Sequence, residues 1–182
     1  YRCPSTQQGY SPFSTWTRGL AWIMLGYAEL LEWVRTRPHD EFAFQFDALK
    51  LPRLPDESDI LIARRVVIET MKDATEAACD FYIENTPTDG IPFWDTGAPG
   101  LTQLANWSDR PSDPFNDIEP VDSSAAAIAA QGLLRLGSVL SQLGDPVRGK
   151  HFTQAGLSVL RTLLTAPYLN DDDAHQGLLL HA

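Results

Sequence analysis

Cysteine is scarce in this chain: Cys3 and Cys79 are the only two among 182 residues. Two thiols so far apart have no metal-ligand spacing and build no disulfide framework, which excludes a cystine-stapled or zinc-ribbon scaffold. Cys79 falls in a helical pattern and reads as a buried apolar side chain; the redox compartment stays open. Basic charge is short as well. Fourteen Lys and Arg stand against 24 Asp and Glu, a formal net charge of −10. No basic run interrupts this acidity, so neither a nucleic-acid partner nor an anionic membrane surface is expected, because both are held through clustered cations. An anionic small ligand is not excluded, since one focused arginine can reverse the potential locally. No apolar run reaches the roughly 18 residues of a membrane span; residues 125–134 are the most apolar and are too few. A glycine-rich phosphate loop, a Gly-x-Ser-x-Gly elbow and a Cys/His nucleophile pair are also missing. Asp171 to Asp173 lacks the Gly and Glu spacing of a calcium loop and reads as a solvated turn. No metal site is expected from the cysteine, histidine or aspartate spacing. The chain begins with Tyr1 and shows no signal-peptide pattern, and cytoplasmic and secreted locations both stay open.

What is present is a 43% hydrophobic chain, enough for one sizeable core. Four helices follow from periodicity and caps. The first starts at Ser14 or Thr15 and carries Trp22, Ile23, Leu25, Ala28, Leu30, Leu31 and Val34 until Arg37-Pro38 stops it. Phe42, Phe44 and Phe46 alternate in a proline-flanked packed loop. The second helix spans Asp56 to about Asn85, with Ile60, Ala63, Val67, Met71, Ala74, Ala78 and Phe81 as its apolar stripe and a charged opposite face. A Gly- and Pro-dense loop from Thr88 to Gly100 holds Phe93 and Trp94, which are costly to leave in water, so it is expected to be pinned to the body. Residues 101–119 read as a surface insertion. Asp122 caps a third helix to about Leu143 that is apolar all round and therefore buried. The fourth runs from Asp145-Pro146 to about Ala166 and is again amphipathic. The order inner, outer, inner, outer predicts an all-α helical toroid or solenoid, with its long loops at one rim.

Against this background Trp16-Thr-Arg18-Gly-Leu-Ala-Trp22 stands out. Arg18 and Trp22, four residues apart, share a helix face near its N-terminal end. A forked donor beside a flat aromatic wall suits a ring-shaped carboxylate such as a uronic acid. By spacing alone, the stretch fits two core tryptophans and an arginine in a structural ion pair better than a ligand site. Asp95 is a carboxylate in an aromatic loop, open to a site role or to fixing the loop. His175 and His181 have no metal spacing.

Taken together and in order, Trp16-Thr-Arg-Gly-Leu-Ala-Trp22, Asp89-Gly-Ile-Pro-Phe-Trp-Asp95, Asp122-Ser-Ser-Ala-Ala-Ala-Ile128 and His175-Gln-Gly-Leu-Leu-Leu-His181 resemble glycoside hydrolase family 88, the unsaturated glucuronyl hydrolases. The resemblance implies that residues 1–182 form a single-domain segment of an (α/α)6 barrel, expected to be incomplete at both ends. It implies a hydrolase that removes a terminal 4,5-unsaturated uronic acid from lyase-generated oligosaccharides by vinyl-ether hydration, without a cofactor. The family's principal catalytic aspartates are expected upstream of the Trp-x-Arg-Gly motif, so the catalytic acid is unknown here. The substrate-binding residues it implies are Gln8, Arg18 and Trp22, with Trp16 and Asp95 as further candidates. The expected partners are the unsaturated oligosaccharide and the remaining hairpins of the same barrel. Leu20 stands where the family usually has Gln, a departure bearing on polar contacts at the pocket floor. A non-catalytic glycan-binding or structural relative, and an unsaturated rhamnogalacturonyl hydrolase, are the alternatives.

Overall fold

The computed structural model describes residues 5–43 and 56–181. Cys3, Phe44 and Phe46 lie outside the described residues. Four α-helices carry the fold: α1 (Thr17–Arg35), α2 (Glu57–Glu84), α3 (Ser123–Gln142) and α4 (Pro146–Leu163). No strand occurs among the described residues, only isolated bridges between loop residues.

Three of the four helices begin where a side chain can satisfy orphan amides. Asp56 accepts from the Asp59 amide in a full capping box, Asp122 from the Ala125 amide, and Asp145 from the Arg148 amide. The first helix starts differently from expectation. Neither Ser14 nor Thr15 caps it; Trp16 holds the N-cap position with no side-chain bond. The Thr17 amide is met by the Trp94 carbonyl at 3.1 Å, and the Thr17 hydroxyl donates to the Phe93 carbonyl at 2.7 Å. A loop 76 residues away in sequence thus does the work of a cap.

The core lies between α1 and α3 and between α3 and α4. Gly132 makes the first contact close: a Cβ there would sit 2.9 Å from the Leu25 amide nitrogen and from the Met24 carbonyl carbon. On the other side, a Cβ at Gly137 would sit 2.7 Å from the Gly149 carbonyl oxygen. Helix α3 is therefore clamped by a backbone approach on two faces, and Ala125, Ala126, Ala129, Ala130, Leu133 and Leu136 are fully buried. By length and composition α3 is apolar enough to cross a membrane, yet most of it is buried inside the fold. Its burial is not complete all round, since Gln131 and Ser138 are exposed.

Outer helix α2 covers α1, and α4 covers α3. The two outer helices are tied by Arg148, whose guanidinium donates to Glu76 at 3.0 Å and to Asp80 at 2.6 Å. The buried face of α2 is rotated from the expected stripe: Ile68, Thr75, Cys79 and Tyr82 are buried, while Ala74 and Phe81 are exposed. Phe42 is buried in a short 3-10 turn, His39–Ala43, as a packed loop requires. Helix α4 ends at Leu163, three residues before the expected limit.

One face of α1 is left uncovered. Trp22, Ile23, Tyr27, Leu30 and Trp33 are each 41–56% exposed, although the sequence pattern marks three of them as part of a buried stripe. The helix is apolar on more than one side, and α2 and α3 cover only part of it.

Candidate functional site

Three segments converge on the N-terminal ends of the inner helices α1 and α3. The aromatic loop reaches both: Asp95 bridges to Trp16 and Phe93 bridges to Val121. The Asp122 amide donates to the Pro92 carbonyl at 2.8 Å. The C-terminal turn, closed by a bridge between Leu169 and Leu179, delivers the His181 carbonyl to the Ser123 amide at 2.9 Å and the Leu180 carbonyl to the Ser123 hydroxyl at 2.6 Å.

Arg18 stands at this junction. Its Nε donates to Asp122 Oδ2 and its Nη2 to Asp122 Oδ1, both at 2.9 Å, a bidentate pair between residues 104 positions apart. The Asp122 side chain is 5% exposed and that of Arg18 36%. Asp122 is thus both the cap of α3 and the partner of Arg18. The cap is evident from Asp-Ser-Ser before an alanine helix; the pairing is not, because nothing local links positions 18 and 122. The Nε and Nη2 edge of the guanidinium is thus held, and the side chain remains 36% exposed.

Trp22 lies one turn on, 55% exposed. Trp16 is half-buried, its indole lying over Gly19: a Cβ at position 19 would be 2.7 Å from the ring. The glycine after Arg18 is what lets the indole fold over the first turn. Leu20 is buried in the core. It sits two residues from Arg18, about 200° around the helix, so it contributes nothing to the face that carries the guanidinium.

Asp95 is fully buried. One oxygen accepts from the Tyr10 amide at 2.9 Å and the other from the Gly97 amide at 2.8 Å. The carboxylate therefore fastens residues 9–10 to the aromatic loop. Gln8 itself is exposed at this turn, next to Gly9, whose amide donates to the Thr6 hydroxyl at 2.9 Å. The structure thus places Arg18 and Trp22 one turn apart on α1 with Trp16 at its N-cap, ties the turn after Gln8 to the aromatic loop through Asp95, and leaves Asp95 itself out of solvent.

The sequence reading missed a second loop anchor. Glu119 is 7% exposed and accepts from Trp94 Nε1 at 2.7 Å and from the Gly100 amide at 2.6 Å. Asp89 does similar work, accepting from both the amide and the hydroxyl of Ser112. Acidic residues inside a Gly- and Pro-rich loop were the available signal, since unpaired loop amides need acceptors. His175 is exposed and makes local bonds with Gly177. The His181 ring meets Phe115 edge-on at 5.0 Å and Tyr168 at 5.9 Å.

The larger clefts lie elsewhere. One of about 470 Å³ is bounded by Tyr82, Thr86, Gly90, Leu133, Ala155 and Val159 and includes none of the expected site residues. Another, about 330 Å³, borders the Asp95 loop at Tyr10, Gly97, Leu101 and Trp107. Arg18 and Trp22 line neither of these clefts and are 36% and 55% exposed.

No family model matches the chain. Two curated relatives do. An unsaturated glucuronyl hydrolase of Formosa agariphila is 26% identical over 178 residues, covering 97% of this chain and 31% of the relative. One of Bacillus sp. strain GL1 is 27% identical over 168 residues, covering 92% of this chain and 31% of the relative. Among solved structures, an unsaturated glucuronyl hydrolase specific for heparin superposes with a TM-score of 0.61 at 23% identity, over 100% of this chain and 35% of that one. The chain spans about a third of the length of the proteins it matches. The shared fold is the (α/α)6 barrel, represented here by two adjoining hairpins.

Proposed function

From this kinship with the unsaturated glucuronyl hydrolases, we propose that the chain is the substrate-holding segment of a hydrolase that releases a terminal 4,5-unsaturated uronic acid from oligosaccharides. The observation that carries the reading is Arg18, with its Nε and Nη2 engaged by Asp122 and its side chain still 36% exposed, one turn from exposed Trp22. A planar fork with one free edge meets a carboxylate directionally, and an indole supplies a flat apolar surface for a sugar ring. Gln8 contributes a polar group from the turn that Asp95 fastens.

The reaction is a hydration. A carboxylic acid donates a proton to one carbon of the vinyl-ether double bond, water adds to the neighbouring carbon, and the resulting hemiketal opens and releases the next sugar. Such an acid needs a proton at working pH and a water-poor pocket. None of the described residues is assigned that role. Asp95 and Glu119 are buried, but their oxygens are occupied by loop amides and the Trp94 indole, which fits anchoring rather than proton transfer.

The test is loss of the double-bond absorbance of unsaturated disaccharides derived from pectin, alginate and glycosaminoglycan-type polymers, using full-length protein carrying this chain. Wild-type protein is expected to consume at least one of them, and Arg18→Ala to lower kcat/KM by about 100-fold or more. Unchanged turnover in the variant removes Arg18 from the site. A wild-type protein inert towards all three classes removes the reading itself.

A further inference from the structure

We propose that Asp122 is a positioning residue: besides capping α3, it sets the direction in which Arg18 presents its free edge to the substrate. The inference rests on the reading of Arg18 as the carboxylate-binding group.

The geometry at Asp122 is over-determined. Its amide is tied to the Pro92 carbonyl at 2.8 Å, its Oδ1 accepts from the Ala125 amide at 2.7 Å, and both oxygens accept from Arg18 at 2.9 Å. The backbone of the aromatic loop, through the Asp122 amide, and the first turns of α3 and α1, through its carboxylate, thereby meet at one residue whose side chain is 5% exposed. An arginine side chain has many rotamers, and directional binding requires that most be excluded before the ligand arrives. Only the Nε and Nη2 edge of Arg18 is spent in this restriction. The remaining edge has its direction fixed by a group that is itself fixed to two helices and a loop.

The pairing has a second consequence. A carboxylate so close offsets much of the arginine's positive charge, so recognition at this wall depends on aligned N–H donors more than on net charge. These two contributions respond oppositely when Asp122 loses its charge, which makes the role testable. Asn is as good an N-cap as Asp. Asp122→Asn therefore keeps the α3 cap while presenting an amide N–H₂ where the guanidinium needs an acceptor.

The experiment uses full-length protein and the unsaturated disaccharide that the wild type consumes. Asp122→Asn is expected to leave the thermal midpoint within about 3 °C of wild type, to raise KM at least tenfold and to lower kcat less than KM rises. In an Arg18→Ala background, the same substitution is expected to leave KM unchanged, because the group it positions is gone. An Arg18 Nε–H resonance in ¹⁵N spectra, protected from exchange in wild type, is expected to lose protection in Asp122→Asn. A KM that stays constant or falls in Asp122→Asn, or the same rise in KM with and without Arg18, overturns the positioning role while leaving the hydrolase reading intact. An inert wild type overturns both, and a resonance that keeps its protection in Asp122→Asn overturns the positioning geometry.

Discussion

At the scale of single residues, buried carboxylates do the organising, while Arg18 and Trp22 stay partly exposed. Asp95 is the clearest instance of the first kind: fully buried, it satisfies the amides of Tyr10 and Gly97 from two different segments. Removing it orphans two donors at once, so Asp95→Ala is expected to cost about 2–4 kcal/mol in denaturant unfolding. The neighbouring turn has little room. A Cβ at Gly9 would lie 3.0 Å from Asp95 Oδ2 and 3.1 Å from the Thr6 hydroxyl. The identity of Arg18 and Trp22 as a shared face was legible from four-residue spacing. The partner of Arg18 was not, because a pair separated by 104 positions is set by the crossing of α1 and α3 and not by any local pattern. Of the two sequence readings of Arg18, the structure shows the ion-pair partner, made through Nε and Nη2; the ligand donor is the proposal for the rest of the guanidinium.

At the scale of elements, helix starts marked by an acidic cap were legible within a residue or two: Asp56, Asp122 and Asp145 each hold an amide three residues on. The start of α1 was not, because its amide is satisfied by the distant Trp94 carbonyl. Stripes were less exact. Ala74 and Phe81 satisfy a three- and four-residue rhythm, yet α2 buries the adjacent row through Thr75, Cys79 and Tyr82, where the Tyr82 hydroxyl reaches the Gly90 carbonyl at 2.9 Å. Glycines within the helices separate cleanly into two kinds. Around a Cβ at Gly26 nothing lies within 4 Å, so Gly26→Ala is expected to stabilise the fold by about 0.5–1 kcal/mol. Gly137 faces the Gly149 carbonyl and Thr153 across the α3–α4 contact, so Gly137→Ala, despite the same gain in helix propensity, is expected to destabilise by about 1–3 kcal/mol. Opposite shifts of the two denaturation midpoints, at unchanged m-value, check the pair.

At the scale of the whole molecule, the tight core makes stability depend on keeping several weak acids neutral. Burial pushes the Cys79 thiol up from 9.0 to about 12 and, against an opposing hydrogen bond with Ser112, the Tyr168 hydroxyl from 10.0 to about 12. Burial also holds Tyr82 well above its ordinary 10.0, with the Asp122 and Asp89 carboxylates adding in the same direction. These groups are spread over α2 and the segment after α4, so the effect belongs to the fold rather than to one helix. Each has a higher pKa folded than unfolded. Below about pH 9 all are neutral in both states and the folded chain bears no penalty. As pH rises past 9 for Cys79 and past 10 for the tyrosines, the unfolded chain ionises first and is favoured, so stability falls through the window up to about 12. The thermal midpoint is therefore expected to show no drop from these groups up to pH 9 and to fall by roughly 5 °C or more by pH 10.5. Cys79→Ala is expected to move the onset towards pH 10, since only the tyrosines then remain to titrate. A decline that begins at the same pH in Cys79→Ala and wild type assigns the alkaline loss to the tyrosines or to surface charge, and not to the thiol at the heart of α2.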